Sequence, residues 1–484
     1  EMGELFGGGN QAPYSKYGCH EVNGQWVSYS QNEEGSHNII FDEDEQYPYH
    51  VKVFVESCTS IGSIYGGGLG GPATVTGDTY VNINMMRGHV NEEIQPLGHI
   101  GQVFGGGKEA KVKGSTKIDI GTEIANEEYG AIITPTIGGV ESEDYEKTKY
   151  LHWEEDRYIA ISSSEAGVYG GGKNANVEGD ATLSIGTKEQ TDLSKGTQIT
   201  GNIFGGGYGH TTHVTGSVSV KIGERTVSGS TVSYSGNAII TGNVYGGSAM
   251  GTVNSSDNTN CTENATTVVT MNYGDITGSI YGGGEGNSEH AADVYGPVTV
   301  TIWNGKVSGA VYGCNYTNGS PKSTVTVNIN GTATPVESAT YAIPAVYGGG
   351  KMAEYKGGEN LTVNMSGGYV NNVFGGGLGT TATVKGATDV EVSGGTVAND
   401  VYGGGSQANV TGAVTVSLNG GTVTRDVYGG GALAQTNTEY DAGDAIKKDY
   451  ITQVTLAGAT VTGNVYGGGL GDLASLGGAH SDDD

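Results

Sequence analysis

The chain has 484 residues, 89 of them glycine and 9 proline, with 23 Lys+Arg against 52 Asp+Glu and a net charge of -29. Glycine without a three-residue period excludes collagen, the acidic balance argues against a nucleic-acid partner, and no run approaches the ~18 apolar residues of a membrane-spanning helix. With 35 % hydrophobic residues and regularly placed Val and Ile, the composition points to a packed core rather than disorder.

A repeat dominates the chain. An aliphatic residue, an aromatic and a glycine run recur thirteen times, with the aromatics at Phe6, Tyr65, Phe104, Tyr169, Phe204, Tyr245, Tyr281, Tyr312, Tyr347, Phe374, Tyr402, Tyr428 and Tyr466. Two copies are degraded: Tyr245 is followed by Gly-Gly-Ser and Tyr312 by Gly-Cys. The spacing falls to a floor of 26 to 28 residues between Phe374 and Tyr428, so longer gaps are one unit plus an insertion. The minimal unit, Gly403 to Tyr428, holds three extended stretches: Gln407 to Thr411, Val414 to Asn419 and Thr422 to Tyr428. The second alternates strictly, Val414, Val416 and Leu418 against Thr415, Ser417 and Asn419, which is strand periodicity with one buried face. The same alternation recurs at Val298, Val300 and Ile302, at Val325, Val327 and Ile329, and at Leu361, Val363 and Met365.

Three short strands cannot bury a face alone, but stacking one coil on the next buries a continuous core. The pattern predicts an all-β fold, a single parallel β-helix (β-solenoid) over 1–484 with about thirteen three-strand coils. At roughly 4.8 Å per coil its axis is about 58 Å long, and the crossover rule makes it right-handed. A propeller blade needs about 40 residues and four strands, more than this unit provides.

The columns of the repeat have separate roles. The residue before each aromatic is aliphatic (Leu5, Ile64, Val103, Ile203, Val346, Val465), which marks an inward column and sends the aromatic to the other face of its strand. Either the aromatics form an exposed stripe fit to stack sugar rings or a partner protein, or their rings stack on each other and cover the bare glycine turns; occupancy in every coil favours the second. Three residues before the aromatic stand Gly201, Gly242, Gly278, Gly309, Asn371, Asn399 and Gly463, with Arg425 the exception. Glycine and asparagine tolerate positive φ, so this reads as a corner, and the glycine triplet as a second one. Asn202, Asn243, Asn372, Asp400, Asp426 and Asn464, two before the aromatic, read as a ladder satisfying itself and the backbone.

Insertions interrupt the period at approximately 10–60, 121–165, 186–198, 252–265, 285–295 and 432–450. They are either the binding loops of the solenoid or flaps along an open edge. Catalysis on a β-helix needs converging carboxylates. The outward slot of the second strand reads Asn82, Asp119, Ser184, Lys221, Thr270, Thr301, Asn328, Asn364, Glu391, Ser417 and Thr455, with its two acids many coils apart, so the reading is non-enzymatic.

No catalytic, cofactor-binding or metal residues are assigned. His210 and His213, and His20, His37 and His50, lack metal spacing. Calcium is the one ion considered, since Gly468-Gly469-Leu470-Gly471-Asp472 approaches a calcium nonapeptide without repeating it. The glycine runs are no phosphate cradles, lacking the Lys-Ser/Thr and the helix. Cys19 and Cys58 bracket the first insertion and are expected to bridge; Cys261 and Cys314 form a second candidate pair.

Neither end shows a polar cap, which predicts a fragment of a longer chain or a subunit stacking end to end on itself. Units such as Val401-Tyr402-Gly403-Gly404-Gly405 and Gly420-Gly421-Thr422-Val423 resemble those of the large glycine-rich β-helix proteins of bacterial surfaces, adhesins and autotransporter-type passengers. The resemblance spans the chain and implies an extracellular or cell-surface place and a structural, adhesive or fibre-forming role. A glycan- or host-protein-binding module acting through the insertions and aromatic stripe is the alternative, and a polysaccharide lyase or hydrolase the third.

Overall fold

A computed structural model describes residues 2–12, 14, 19–22, 25–28, 51–55, 58, 60–83, 89–90, 93–94, 99–123, 136–137, 151–154, 157–160, 165–189, 196–331 and 343–471. The fold is all-β and parallel along the shaft. One face is a 12-stranded parallel sheet running from Val51–Phe54 to Thr452–Leu456, built from the five-residue alternating segments. These strands stack without a register slip, so Val81, Ile118, Leu183, Val220, Val269, Val300, Val327, Val363, Val390 and Val416 form one inward column. A slip of one residue would turn every one of these side chains to water, which is why register is fixed.

The opposite face belongs to a 21-stranded parallel sheet. It carries the aromatic segments, paired rung by rung from Phe6↔Tyr65 to Tyr428↔Tyr466. The expected third stretch is often two strands, as in Thr422–Val423 and Val427–Tyr428, parted by a polar corner. In Ser60–Tyr65, His99–Phe104 and Tyr369–Phe374 it runs unbroken. The expected first stretch is mostly single bridges, such as Val75↔Val112↔Val177↔Val214 and Val384↔Val410. Among the described residues, only His213–Val214 with Thr252–Val253 makes a regular pair there. The aliphatic residues of the two long sheets close into one buried cluster running the length of the shaft.

The corners differ from expectation. None of Gly201, Gly242, Gly278 or Gly309 has positive φ, and neither do the triplet glycines. They are glycine because coils touch there: a Cβ on Gly278 would lie 2.1 Å from the carbonyl oxygen of Gly242, and one on Gly376 2.7 Å from the backbone nitrogen of Gly405. The left-handed corner lies five residues after the aromatic, at Gln11, Gly70, Glu109, Asn174, Gly209, Gly286, Gly379, Gln407 and Leu433. Five of these follow from the glycine or asparagine preference for that conformation, and Gln11, Glu109, Gln407 and Leu433 do not.

The insertions are narrower than their sequence limits. Val51–Phe54 is a shaft strand, and Tyr14 bridges Val75, so 10–60 is not wholly excursion. Within 121–165, Thr136–Ile137 pairs with His99–Ile100 and belongs to the shaft. The antiparallel hairpin Leu151–Glu154 and Arg157–Ala160 has its first strand beside Met2–Phe6 and Ser60–Tyr65. Thr197–Ile199 and Thr252–Val253 are shaft strands, and Val294 and Ala432 make shaft bridges. Among the described residues two excursions have no counterpart in the sequence reading: the short hairpin His89–Val90 and Glu93–Ile94, and the longer hairpin Glu224–Ser228 and Thr231–Ser235. The alternation of the longer one resembles that of a shaft strand, so local pattern does not mark it as leaving the coil.

Candidate functional site

The thirteen aromatics form one stack. Ring centroids are 4.6–5.0 Å apart and planes within 13° at all twelve steps from Phe6 to Tyr466. Parallel in-register strands impose this spacing, since each Cα sits one rung above its partner. The rings form a hydrophobic cluster separate from the main core, as expected for the other face of the strand. Tyr65 to Tyr428 are buried, none more than 8 % exposed, and only Tyr466 is open at 43 %. An open stripe for sugar rings is therefore excluded over those rungs: neighbouring rings cover the ring faces.

Two polar rows flank the stack. In the row two residues before the aromatic, each side-chain oxygen accepts the backbone N–H of its counterpart one coil later. Asn202 accepts from Asn243 at 2.9 Å, Asn243 from Ser279 at 2.8 Å, Asp400 from Asp426 at 3.0 Å and Asp426 from Asn464 at 2.7 Å. This is the expected ladder, reaching the backbone at the polar corner where strand pairing lapses. Its two carboxylates also accept from ladder hydroxyls: Tyr402 donates to Asp400 and Tyr428 to Asp426, both at 3.3 Å.

The second row lies four residues after the aromatic, and its residue types vary too much to mark it in the sequence. In successive coils it holds Lys108, Lys173, Tyr208, Ala249, Glu285, Tyr316 and Lys351. Lys173 lies 5.7 Å over the Tyr208 ring and Lys351 4.9 Å over that of Tyr316. Tyr208 meets the Tyr169 ring edge-on at 5.7 Å and donates to the Glu165 carboxylate at 3.0 Å. Tyr245 donates to Glu285 at 3.4 Å. Burial pushes the Glu285 carboxyl up to about 7, partly offset by that hydrogen bond. Burial, and then neighbouring acids and phenols, likewise hold the Tyr169, Tyr245 and Tyr312 hydroxyls well above the usual phenol range.

The outward slot of the long sheet is in register from Asn82 to Thr455. Asp119 there accepts from Tyr80 at 2.8 Å and pairs with Lys117 at 2.9 Å. Seven rungs on, Glu391 accepts from Asn419 at 3.0 Å. Asn364 donates to Asn328 at 3.0 Å, a polar ladder rather than a convergent pair of acids.

His213 meets Thr252 at 2.7 Å, and His210 stacks on His290 at 4.4 Å. His37, His50 and Asp472 lie outside the described residues, as does the side chain of His20. Among the described residues no group of three or more His, Cys, Asp or Glu could hold a metal.

The cysteine expectations need correction. Cys58, Cys261 and Cys314 all carry free thiols, so neither a Cys19–Cys58 nor a Cys261–Cys314 bridge is formed. Cys261 is exposed, with its sulfur beside the Thr262 carbonyl at 3.1 Å, while Cys314 is buried in the core with its sulfur 3.5 Å from the Gly348 carbonyl. A corner side chain turned inward cannot reach one on a surface loop. The side chain of Cys19 lies outside the described residues.

Among the described residues, no helix is long and apolar enough to cross a membrane. No protein family, characterised protein or solved structure matches the chain.

Proposed function

We propose that the chain is a non-enzymatic structural shaft of the bacterial cell surface or extracellular space, assembling along its own axis and carrying excursions on its flanks. The observation behind this reading is the unbroken stack of thirteen aromatic rungs beside a 12-stranded parallel sheet in constant register. Each coil adds the same backbone and ring contacts to the last, so the cooperative unit is a rod. Among the described residues its final rung, Thr452–Leu456 with Val465–Tyr466, exposes Leu456, Val465 and Tyr466, an apolar surface that a further rung would cover. The charge of -29 opposes association at low salt, so axial assembly strengthens with salt or divalent cations such as calcium. Electron microscopy of the natively isolated protein, with and without calcium, tests it: filaments support the reading, and isolated short rods under every condition overturn axial assembly.

A second reading, an adhesin module for glycans or a host surface protein, has one feature in its favour. The Glu224–Ser235 hairpin rests at its base on the shaft, with the Arg225 guanidinium 4.0 Å over the Trp303 ring, while its outer part is open, with Val227 55 % and Val232 40 % exposed on paired positions. Its ends abut, since a Cβ on Gly236 would lie 3.1 Å from the Gly223 Cα, so excision with Gly223 joined to Gly236 leaves the shaft closed. A saturable affinity on a glycan and mucin panel that disappears on this excision supports the module; no binding by the intact chain removes it.

A further inference from the structure

The aromatic stack contains a pair of tyrosines equipped for one-electron chemistry. Its tyrosines share the same ring stacking but differ in the residue two positions earlier: Ser63, Gly167, Asn243, Ser279, Ala310, Ala345 and Asn464 precede seven of them, and among these Tyr245 donates instead to Glu285, in the row beside the stack, at 3.4 Å. Only Tyr402 and Tyr428 follow a carboxylate there, and each donates its hydroxyl to it at 3.3 Å. The two rings stack at 4.9 Å with planes 5° apart, and the Tyr466 ring, 43 % exposed, stacks on Tyr428 at 4.9 Å. A neutral phenol gives up an electron easily only if its proton leaves in the same step, because the phenol radical cation is a very strong acid. Asn464 cannot take that proton; Asp400 and Asp426 can. We propose that Tyr402 and Tyr428 form a radical trap, filled through Tyr466, in which Asp400 and Asp426 receive the phenolic protons.

A one-electron oxidant, of the class of the carbonate radical anion, takes one electron from Tyr466 and becomes carbonate; the Tyr466 proton leaves to water. The Tyr466 radical then takes an electron from Tyr428 and a proton from solvent, while the Tyr428 hydroxyl proton passes to Asp426. Tyr428 and Tyr402 exchange the same equivalent in turn, with the second proton moving to Asp400 as Asp426 returns the first. Phe374 follows Tyr402 in the stack, stacked on it at 4.7 Å, and has no hydroxyl to lose, so it stops further migration. The trap would carry oxidising equivalents away from the shaft's free thiols and methionines and hold them on a rigid pair.

Flash generation of carbonate radical in a solution of the full chain, followed by the absorption and electron paramagnetic resonance of tyrosyl radicals, tests this. The native chain is expected to show a prompt radical that feeds a long-lived one. Asp400→Asn with Asp426→Asn keeps an oxygen for each backbone N–H but removes both bases, and should slow formation of the long-lived radical on the order of 10²-fold. Tyr402→Phe with Tyr428→Phe keeps the stack and should abolish the long-lived radical. Tyr440→Phe removes an exposed tyrosine off the stack and should lower only the prompt yield. Unchanged long-lived kinetics in either double variant, or their loss in Tyr440→Phe, overturns the proposal. Thermal melting of each variant shows that the shaft is intact.

Discussion

Asp400 Oδ1 accepts the backbone N–H of Asp426 at 3.0 Å, one full coil along the axis. The same carboxylate takes the Tyr402 hydroxyl on its other oxygen and faces the Arg425 guanidinium at 3.8 Å. It thus ties a corner, a ladder ring and the next coil together. Asp400→Ala leaves a backbone donor without its partner and should cost about 1–3 kcal/mol, whereas Asp400→Asn should cost well under half of that. Denaturant melts of the two variants check this, and equal losses would show the ladder to be unimportant.

The ring stack is held by area and planarity rather than by hydroxyls. Tyr312→Phe should change stability by less than about 0.5 kcal/mol. Tyr312→Ala should cost about 3–5 kcal/mol, because the cavity opens between two rings that cannot collapse onto each other. In a linear array such a gap also uncouples the halves, so a two-step melt is expected from the alanine variant alone. A single unshifted transition would contradict it.

Glycines of the shaft divide by cause, and substitution separates the causes. Gly376→Ala drives a Cβ into the Gly405 backbone at 2.7 Å, which neither coil can relieve, so a loss of about 3 kcal/mol is expected. Leu433, exposed at φ 51, pays the left-handed penalty without packing in return. Leu433→Gly should be neutral or stabilise by up to about 1 kcal/mol. Melting temperatures of both variants decide it.

Glu285 makes stability depend on pH. Its folded-state pKa of about 7 lies above the ordinary 4.5, so the folded form holds a proton that the unfolded form has released between those values. The contribution is fully present below pH 4.5, declines through that window and is gone above pH 7, a change of roughly 3 kcal/mol. Glu285→Gln should flatten the profile across that window and be more stable than the native chain at pH 8. Urea titrations at several pH values measure it, and parallel profiles for the two proteins would refute it.

The free thiols of Cys261 and Cys314 should report separately. Cys261 is exposed and should react with a thiol reagent in the folded protein, the more so at alkaline pH because burial raises its thiol modestly. Cys314 is fully buried and should react only on unfolding. Comparing Cys261→Ser with Cys314→Ser, native and denatured, assigns each count, and a native chain in which Cys261→Ser removes no reactive thiol would contradict the structure.

Some of this was legible from residue order. The two-residue alternation of Val414, Val416 and Leu418 determines which side chains face inward, and one aromatic per unit determines the rungs, because both are local patterns that stacking merely repeats. From these the parallel fold, the constant register of the slot from Asn82 to Thr455 and the ladder of Asn202 and Asp426 all follow. What lies between coils was decided by tertiary structure. Whether the Tyr281 ring is buried depends on Tyr245 and Tyr312, 36 and 31 residues away. Whether Gly278 needs its missing Cβ depends on the Gly242 carbonyl, and the burial of Glu285 depends on the row of unlike residues beside the stack. Corner conformation, excursion limits and the fate of the thiols belong with these: each is set by contacts across coils that no period in the sequence records.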